Sequence, residues 1–139
     1  MRCITDSIAI DTKGFTHIIN ITDKVADVLS ASELCEGQLT VFISGSTAAV
    51  TTIEYEPGLL QDLPEAFEIL APQDKDYHHN ATWGDGNGSA HVRAALVGGS
   101  FTVPFTGSRM LLGTWQQIVV IDFDNRPRHR NVTVQLMGM

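Results

Sequence analysis

Between Ser100 and the C-terminus, four apolar runs follow one another with no helical segment between them. They read "SFTVPF", "MLLG", "QQIVVIDF" and "RNVTVQLM", broken by turn residues such as Gly107. Strands joined by short turns pair antiparallel, because a parallel pair needs a crossover of a dozen residues or more. Earlier in the chain, strands are expected over "CITDSIAI", "FTHIINI", "QLTVFIS" and "AAVTTIEYE", from their alternation and β-branched content. Helices interrupt them irregularly. Thr22 and Asp23 open one over "KVADVLSASEL", with Val25, Val28, Leu29 and Ser32 on one face and Gly37 ending it. Pro57 opens another over "PGLLQDLPEAFEILAP", with Leu59, Leu60, Leu63, Phe67 and Leu70 at helical spacing, and Pro64 is expected to divide or restart it. A third is expected over "SAHVRAALVGG", capped by Asn87 or Ser89 and followed by Gly98. Without regular βαβ alternation the fold class is α+β, one domain over residues 1–139, with a mainly antiparallel sheet and two to three helices.

Charge and composition narrow the function. A formal net charge of −7 leaves no broad basic face for nucleic acid or an acidic membrane. The basic cluster "RPRHR" at 126–130 reads as a solvated loop. The start of the chain has no apolar signal-peptide core, and no apolar run approaches the ~20 residues that span a bilayer. A cytoplasmic protein is the expectation. Cys3 and Cys35, far from any C-x-x-C spacing, are then two separate reduced thiols.

The chemistry concentrates in "YHHNATWGDGNGSAHVR" (77–93), which fits neither a plain strand nor a plain helix. Neutral imidazole is a common ligand for Zn²⁺ and its neighbours, and Asp85 could join such a set. The spacing from His79 to His91 matches no general zinc motif, so a hydrogen-bonded loop stays open as the other reading. "GDGNGS" leads into the third helix, where backbone N–H groups of Gly88, Ser89 and Ala90 could face an anion. "SGSTAAV" (44–50) offers small residues for a close approach to a ligand, or a tight hairpin. Glu54 and Glu56, two apart on one strand, would share a face. Arg109, after a glycine turn, can fork to a phosphate or carboxylate. Trp115 reads as a packing residue beside Gln116.

In chain order, "GSTAAVTTIEYEPGL", "YHHN", "GNGSAHVRAALVGGSFTVPF", "GSRMLLGTWQQIVVIDFD" and "VTVQLMG" resemble the YjbQ family, whose members are described as secondary thiamine-phosphate synthases. The match runs from about residue 39 to the C-terminus. The resemblance implies a YjbQ-like homotrimer with sites near subunit interfaces. His79 and His91 correspond to the family's paired site histidines and Glu54 to its glutamate, a catalytic set. Arg109, Thr114, Trp115 and Gln116 match its basic turn and signature. Gly45 stands where many members carry histidine, a place that His78, Glu54, Asp85 or water could take. The implied reaction joins a pyrimidine diphosphate to a thiazole phosphate with release of pyrophosphate. Arg109, the backbone of Gly45, Ser46, Thr47 and Ala48, and that of Gly88 and Ser89 would hold phosphate groups, with Thr114 and Gln116 also facing substrate. A divalent metal, Zn or Mg, near His79, His91 and Glu54 would neutralise the leaving group. The alternatives are a metal-assisted hydrolase of a phosphorylated metabolite and a non-catalytic metabolite-binding trimer.

Overall fold

A computed structural model describes residues 1–139. The chain begins and ends in the same place, because its first strand, β1 (Arg2–Thr12), pairs along its whole length with its last, β8 (Arg128–Gly138). On these strands Ile8, Ile10, Val132, Val134 and Leu136 alternate inward, as the period-2 pattern requires. β3 (Glu36–Ile43) lies on the other side of β8, followed by β5 (Ser100–Thr106) and the short β6 (Arg109–Met110). A second sheet has the order β2 (His17–Asn20), β7 (Gln116–Asp122), β4 (Ala48–Glu54). Both sheets pair antiparallel throughout.

β7 explains why its sequence is nearly continuous in apolar residues. Ile118 and Val120 face the five-stranded sheet, in a core that also takes Val25 and Leu29 of α1 (Thr22–Ser32). Val119, Ile121 and Phe123 face the opposite way, onto Phe67 of α2 (Pro57–Leu70) and Ala90 and Ala94 of α4 (Gly88–Val97). A strand covered on both faces loses its polar alternation. The Phe67 and Phe123 rings meet edge to face with centroids 4.9 Å apart.

The helices depart from expectation in four respects. There are four of them, because the polar stretch contains a short one, α3 (His78–Trp83), ending at Gly84. α2 runs unbroken through Pro64: Leu60, Leu63 and Phe67 pack on the second core, and this burial offsets the one helical bond that proline removes. Its apolar stripe stops at Phe67, since Leu70 is exposed. α1 ends in a left-handed residue, Glu33, while Gly37 already lies in β3. Cys3 and Cys35 are free, exposed thiols. No helix is long and apolar enough to cross a membrane.

Candidate functional site

α3 and α4 pack against each other, joined by the turn "GDGN". The Asn80 side chain accepts the N–H of Gly88 at 2.8 Å, so the last helix starts against the first turn of α3. The approach is close enough that a Cβ on Gly88 would lie 2.4 Å from Tyr77 Cβ. Gly88→Ala is therefore expected to destabilise the fold by about 1–3 kcal/mol, as overpacking does. A urea unfolding midpoint equal to that of the parent protein would contradict this contact.

The junction aims three side chains at one point. The His79 and His91 rings stand with centroids 4.2 Å apart, tilted by 41°. Asp85 Oδ1 lies 3.4 Å from His79 Nδ1 and accepts the Asn87 N–H at 3.1 Å, which fixes the carboxylate. One donor atom from each of the three residues falls within 4.8 Å of the others. His79 Nδ1 is buried and has no hydrogen-bond partner. Beside His91 a cavity of about 270 Å³ is bordered by Gly45 and Ser46 from the β3–β4 connection, by Ala48 at the start of β4, and by Ala94, Ala95, Gly98 and Gly99. Gly45 adopts φ +103°, a conformation that favours glycine, and a Cβ there would lie 3.1 Å from Arg130 Nη1.

Other expected site residues lie elsewhere. Glu54 is at the opposite end of β4 from Ala48, six residues on and so roughly 20 Å away. It borders a separate cavity of about 220 Å³ with Tyr55, Trp115, Asn20 and Gln117. Thr114, exposed, directly precedes Trp115 of that cavity. Arg109, also exposed, lies on the other sheet, where it pairs with Thr106 at the end of β5 away from Gly99 and the His91 cavity. Trp115 is 72% exposed and does not pack. Gln116 spends its amide inside the fold, donating to Thr52 Oγ1 and accepting from Gly113 N–H, both at 3.0 Å. Glu56 does not share a strand face with Glu54, since its carboxylate caps α2 by accepting from Gly58 and Leu59 N–H. The anion cradle expected at Gly88–Ala90 is already filled. Asn80 takes the Gly88 N–H, the Asn87 carbonyl takes those of Ala90 and His91, and Gly88 and Ser89 are buried. Thr47 turns inward, away from the cavity that its neighbours border.

The cluster "RPRHR" is not a solvated loop, because two of its arginines neutralise buried aspartates. Asp122 accepts Arg130 Nε at 2.8 Å and Thr12 Oγ1 at 2.6 Å, and Asp124 accepts Arg128 Nη2 and Thr47 Oγ1, each at 2.9 Å. Both carboxylates are wholly buried. Burial by itself would raise the pKa of Asp124. Hydrogen bonds from Arg128 and Thr47, the Arg128 charge and the nearby Asn87 amide outweigh it, and the carboxyl is held below the ordinary aspartate range. Asp124 Oδ1 nevertheless has no hydrogen bond of regular geometry. The sequence carries a signal for this network: D-x-D at the end of one strand and R-x-R at the start of the next, joined by a turn.

A family model for UPF0047, YjbQ-like proteins, matches residues 6–139. A UPF0047 protein of Methanothermobacter thermautotrophicus is 39% identical over 138 residues, covering 99% of this chain and 94% of its own. One from Mycobacterium tuberculosis is 35% identical over 133 residues, 96% of this chain and 97% of its own. Among solved structures, a YbjQ-like protein of unknown function from Sulfolobus solfataricus P2 superposes with a TM-score of 0.94 at 28% identity, over 99% of both chains. A hypothetical protein from Aeropyrum pernix K1 gives 0.91 at 32% identity, over 98% of this chain and 99% of its own. None of these four names specifies a reaction, so they support a family and not an activity. The chain belongs to the UPF0047, YjbQ-like family.

Proposed function

We propose that His79, Asp85 and His91 hold a divalent ion of the zinc class, and that the chain uses this centre to hydrolyse a small phosphate ester. The buried, unpartnered His79 Nδ1, 3.4 Å from Asp85 Oδ1, carries the reading. Ligand atoms about 2.1 Å from a tetrahedral ion lie roughly 3.4 Å apart, so this pair already has the required spacing. His91, with a ring nitrogen within 4.8 Å of both, completes a three-ligand set. Two imidazoles favour zinc-like ions over Mg²⁺, which prefers oxygen and retains its waters. Such an ion supplies Lewis acidity and a nucleophile from water near neutral pH. The chain's own residues do the rest. Asp85 is oriented by the Asn87 N–H, and Gly45 and Ser46 let substrate approach the His91 ring closely.

Transfer between a pyrimidine diphosphate and a thiazole phosphate needs two phosphorylated molecules side by side. About 270 Å³ beside His91 suits one small molecule, which favours hydrolysis for the single chain. Phosphate release from p-nitrophenyl phosphate by zinc-loaded protein tests the reading. Saturable binding of the ester without release would select a non-catalytic metabolite-binding protein.

Self-association belongs to the same proposal, as the homotrimer implied by the family resemblance. The outer face of the five-stranded sheet presents Thr5, Gln135, Thr40 and Thr102 in one cross-strand row, and Ser7, Thr133, Phe42 and Ser100 in the next. Neither row contains a charge, in a chain of net charge −7 whose copies otherwise repel. Phe42 is 47% exposed there. An assembly could also bring Glu54 and Thr114 of one chain to the imidazoles of another, giving the transfer reaction its second binding site. Phe42→Glu is expected to shift the mass in solution from trimer to monomer by light scattering, and an unchanged mass would remove this face from the interface.

A further inference from the structure

The start of α4 is closed to an anion by Asn80 and the Asn87 carbonyl, and Arg109 lies on the other sheet. The connection between β3 and β4, residues 44–47, is not closed in this way. It lies between Ile43 and Ala48, outside both strands, and none of its four N–H groups donates a hydrogen bond within the chain. Ser44, Gly45 and Ser46 are exposed, and the last two border the cavity beside His91. Successive N–H groups turned about a residue of positive φ, here Gly45, can form the concavity in which anions sit.

The same glycine adjoins Arg130. A guanidinium carries five N–H groups, and Arg130 spends those of Nε and Nη2 on Asp122 and Thr47. Nη1 has no partner. The side chain is only 11% exposed, yet solvent reaches Nη1, whereas Asp124 Oδ1 is sealed. A Cβ on Gly45 would meet Nη1 and, its chain neighbours aside, no other atom within 4 Å. The space over this glycine is therefore open, with an unspent guanidinium edge beside it.

We propose that Arg130 Nη1 and the N–H groups of Gly45 and Ser46 hold the phosphate group of the ligand, over Gly45 at the edge of the cavity that His91 borders. The inference rests on the reading that this cavity takes a phosphate ester, and it names what holds the phosphate. Arg130 is then a binding residue as well as the partner of Asp122. That carboxylate already offsets its charge, so hydrogen bonds rather than net charge select the ligand. A group with several acceptor oxygens answers several donors at once, and a side chain at position 45 would stand in its place.

Titration of the protein as purified with inorganic phosphate, followed by calorimetry and by amide NMR, tests this. Saturable binding is expected, with the Gly45 and Ser46 amides shifting along the same isotherm. Arg130→Lys keeps a cation for Asp122 but has no second nitrogen to offer, and is expected to weaken binding ~10-fold or more, the loss of a charge-assisted bond. The amide shifts need no variant, so they decide the question even if Arg130→Lys fails to fold. No saturable binding, shifts confined to amides elsewhere, or equal affinity in a folded Arg130→Lys would overturn the proposal. Phosphate held at these amides by a protein that carries no metal and releases nothing from p-nitrophenyl phosphate would retain this site and remove the hydrolytic reading. Ester turnover with no phosphate at these amides would do the reverse.

Discussion

Replacing Arg130 by alanine is expected to destabilise the protein by about 3–5 kcal/mol and to lower its melting temperature by roughly 10–20 °C. Arg130 is the only cation within 4 Å of Asp122, a carboxylate with no exposure at all. Truncating it leaves an ionised group in a medium that solvates it poorly, and Thr12 Oγ1 and the Asp124 N–H cannot neutralise the charge. The pair itself need not be worth that much. Removing both charges together, in Asp122→Asn with Arg130→Met, is expected to recover most of the loss, because uncharged side chains of similar size incur no such desolvation. A double variant no better than Arg130→Ala would contradict this account.

The neighbouring Asp124 extends the prediction to pH. Its pKa is depressed on folding, so the unfolded state binds protons more readily than the folded one. Its stabilising contribution is therefore present in full above the ordinary aspartate range, near pH 4, and is lost as pH falls through the lower folded value. Acid unfolding that steepens below about pH 4, and becomes shallower in Asp124→Asn, is the expected outcome. Identical acid profiles for the two proteins would show that Asp124 is not what fails.

The largest functional effect is expected at His91. If it is one of three ligands, alanine there should lower kcat/KM for a phosphate ester by about 100-fold or more, exceeding the 10–100-fold typical of residues that merely support a ligand. Glu54→Gln provides the contrast. Within one chain Glu54 lies at the far end of β4, so a loss equal to that of His91→Ala would mean that the site is completed across subunits. An unaffected Glu54→Gln would confine the chemistry to the α3–α4 junction.

The local patterns in the sequence report strands and cores well, because alternation and apolar periodicity are set by which face meets the core. β1, β8 and the doubly buried β7 follow directly from them. α3 does not, since six residues, HHNATW, with no buried side chain carry no periodic apolar signal. The anion cradle failed for a similar reason: Asn80, eight residues upstream, supplies the cap of Gly88, and nothing local announces it. The pairing of His79 with His91 came from the family resemblance and not from their spacing, because the short helix that carries His79 has no apolar periodicity. The separation of Glu54 from them was not legible, because motif order along a chain does not state which end of a strand a residue occupies. Arg128 and Arg130 look like a basic loop until β8 brings them to Asp122, which ends β7, and Asp124 just beyond it.

The most direct measurement is the metal content of the purified, untagged protein by elemental analysis, beside His79→Ala, His91→Ala and His78→Ala. His78 is exposed and lies outside the cluster, so it serves as the control. One equivalent per chain of zinc or a similar ion is expected in the parent and in His78→Ala, and none in the other two variants. Retention of the ion by His91→Ala, or no ion in the parent even after incubation with zinc, would contradict a metal centre at the α3–α4 junction.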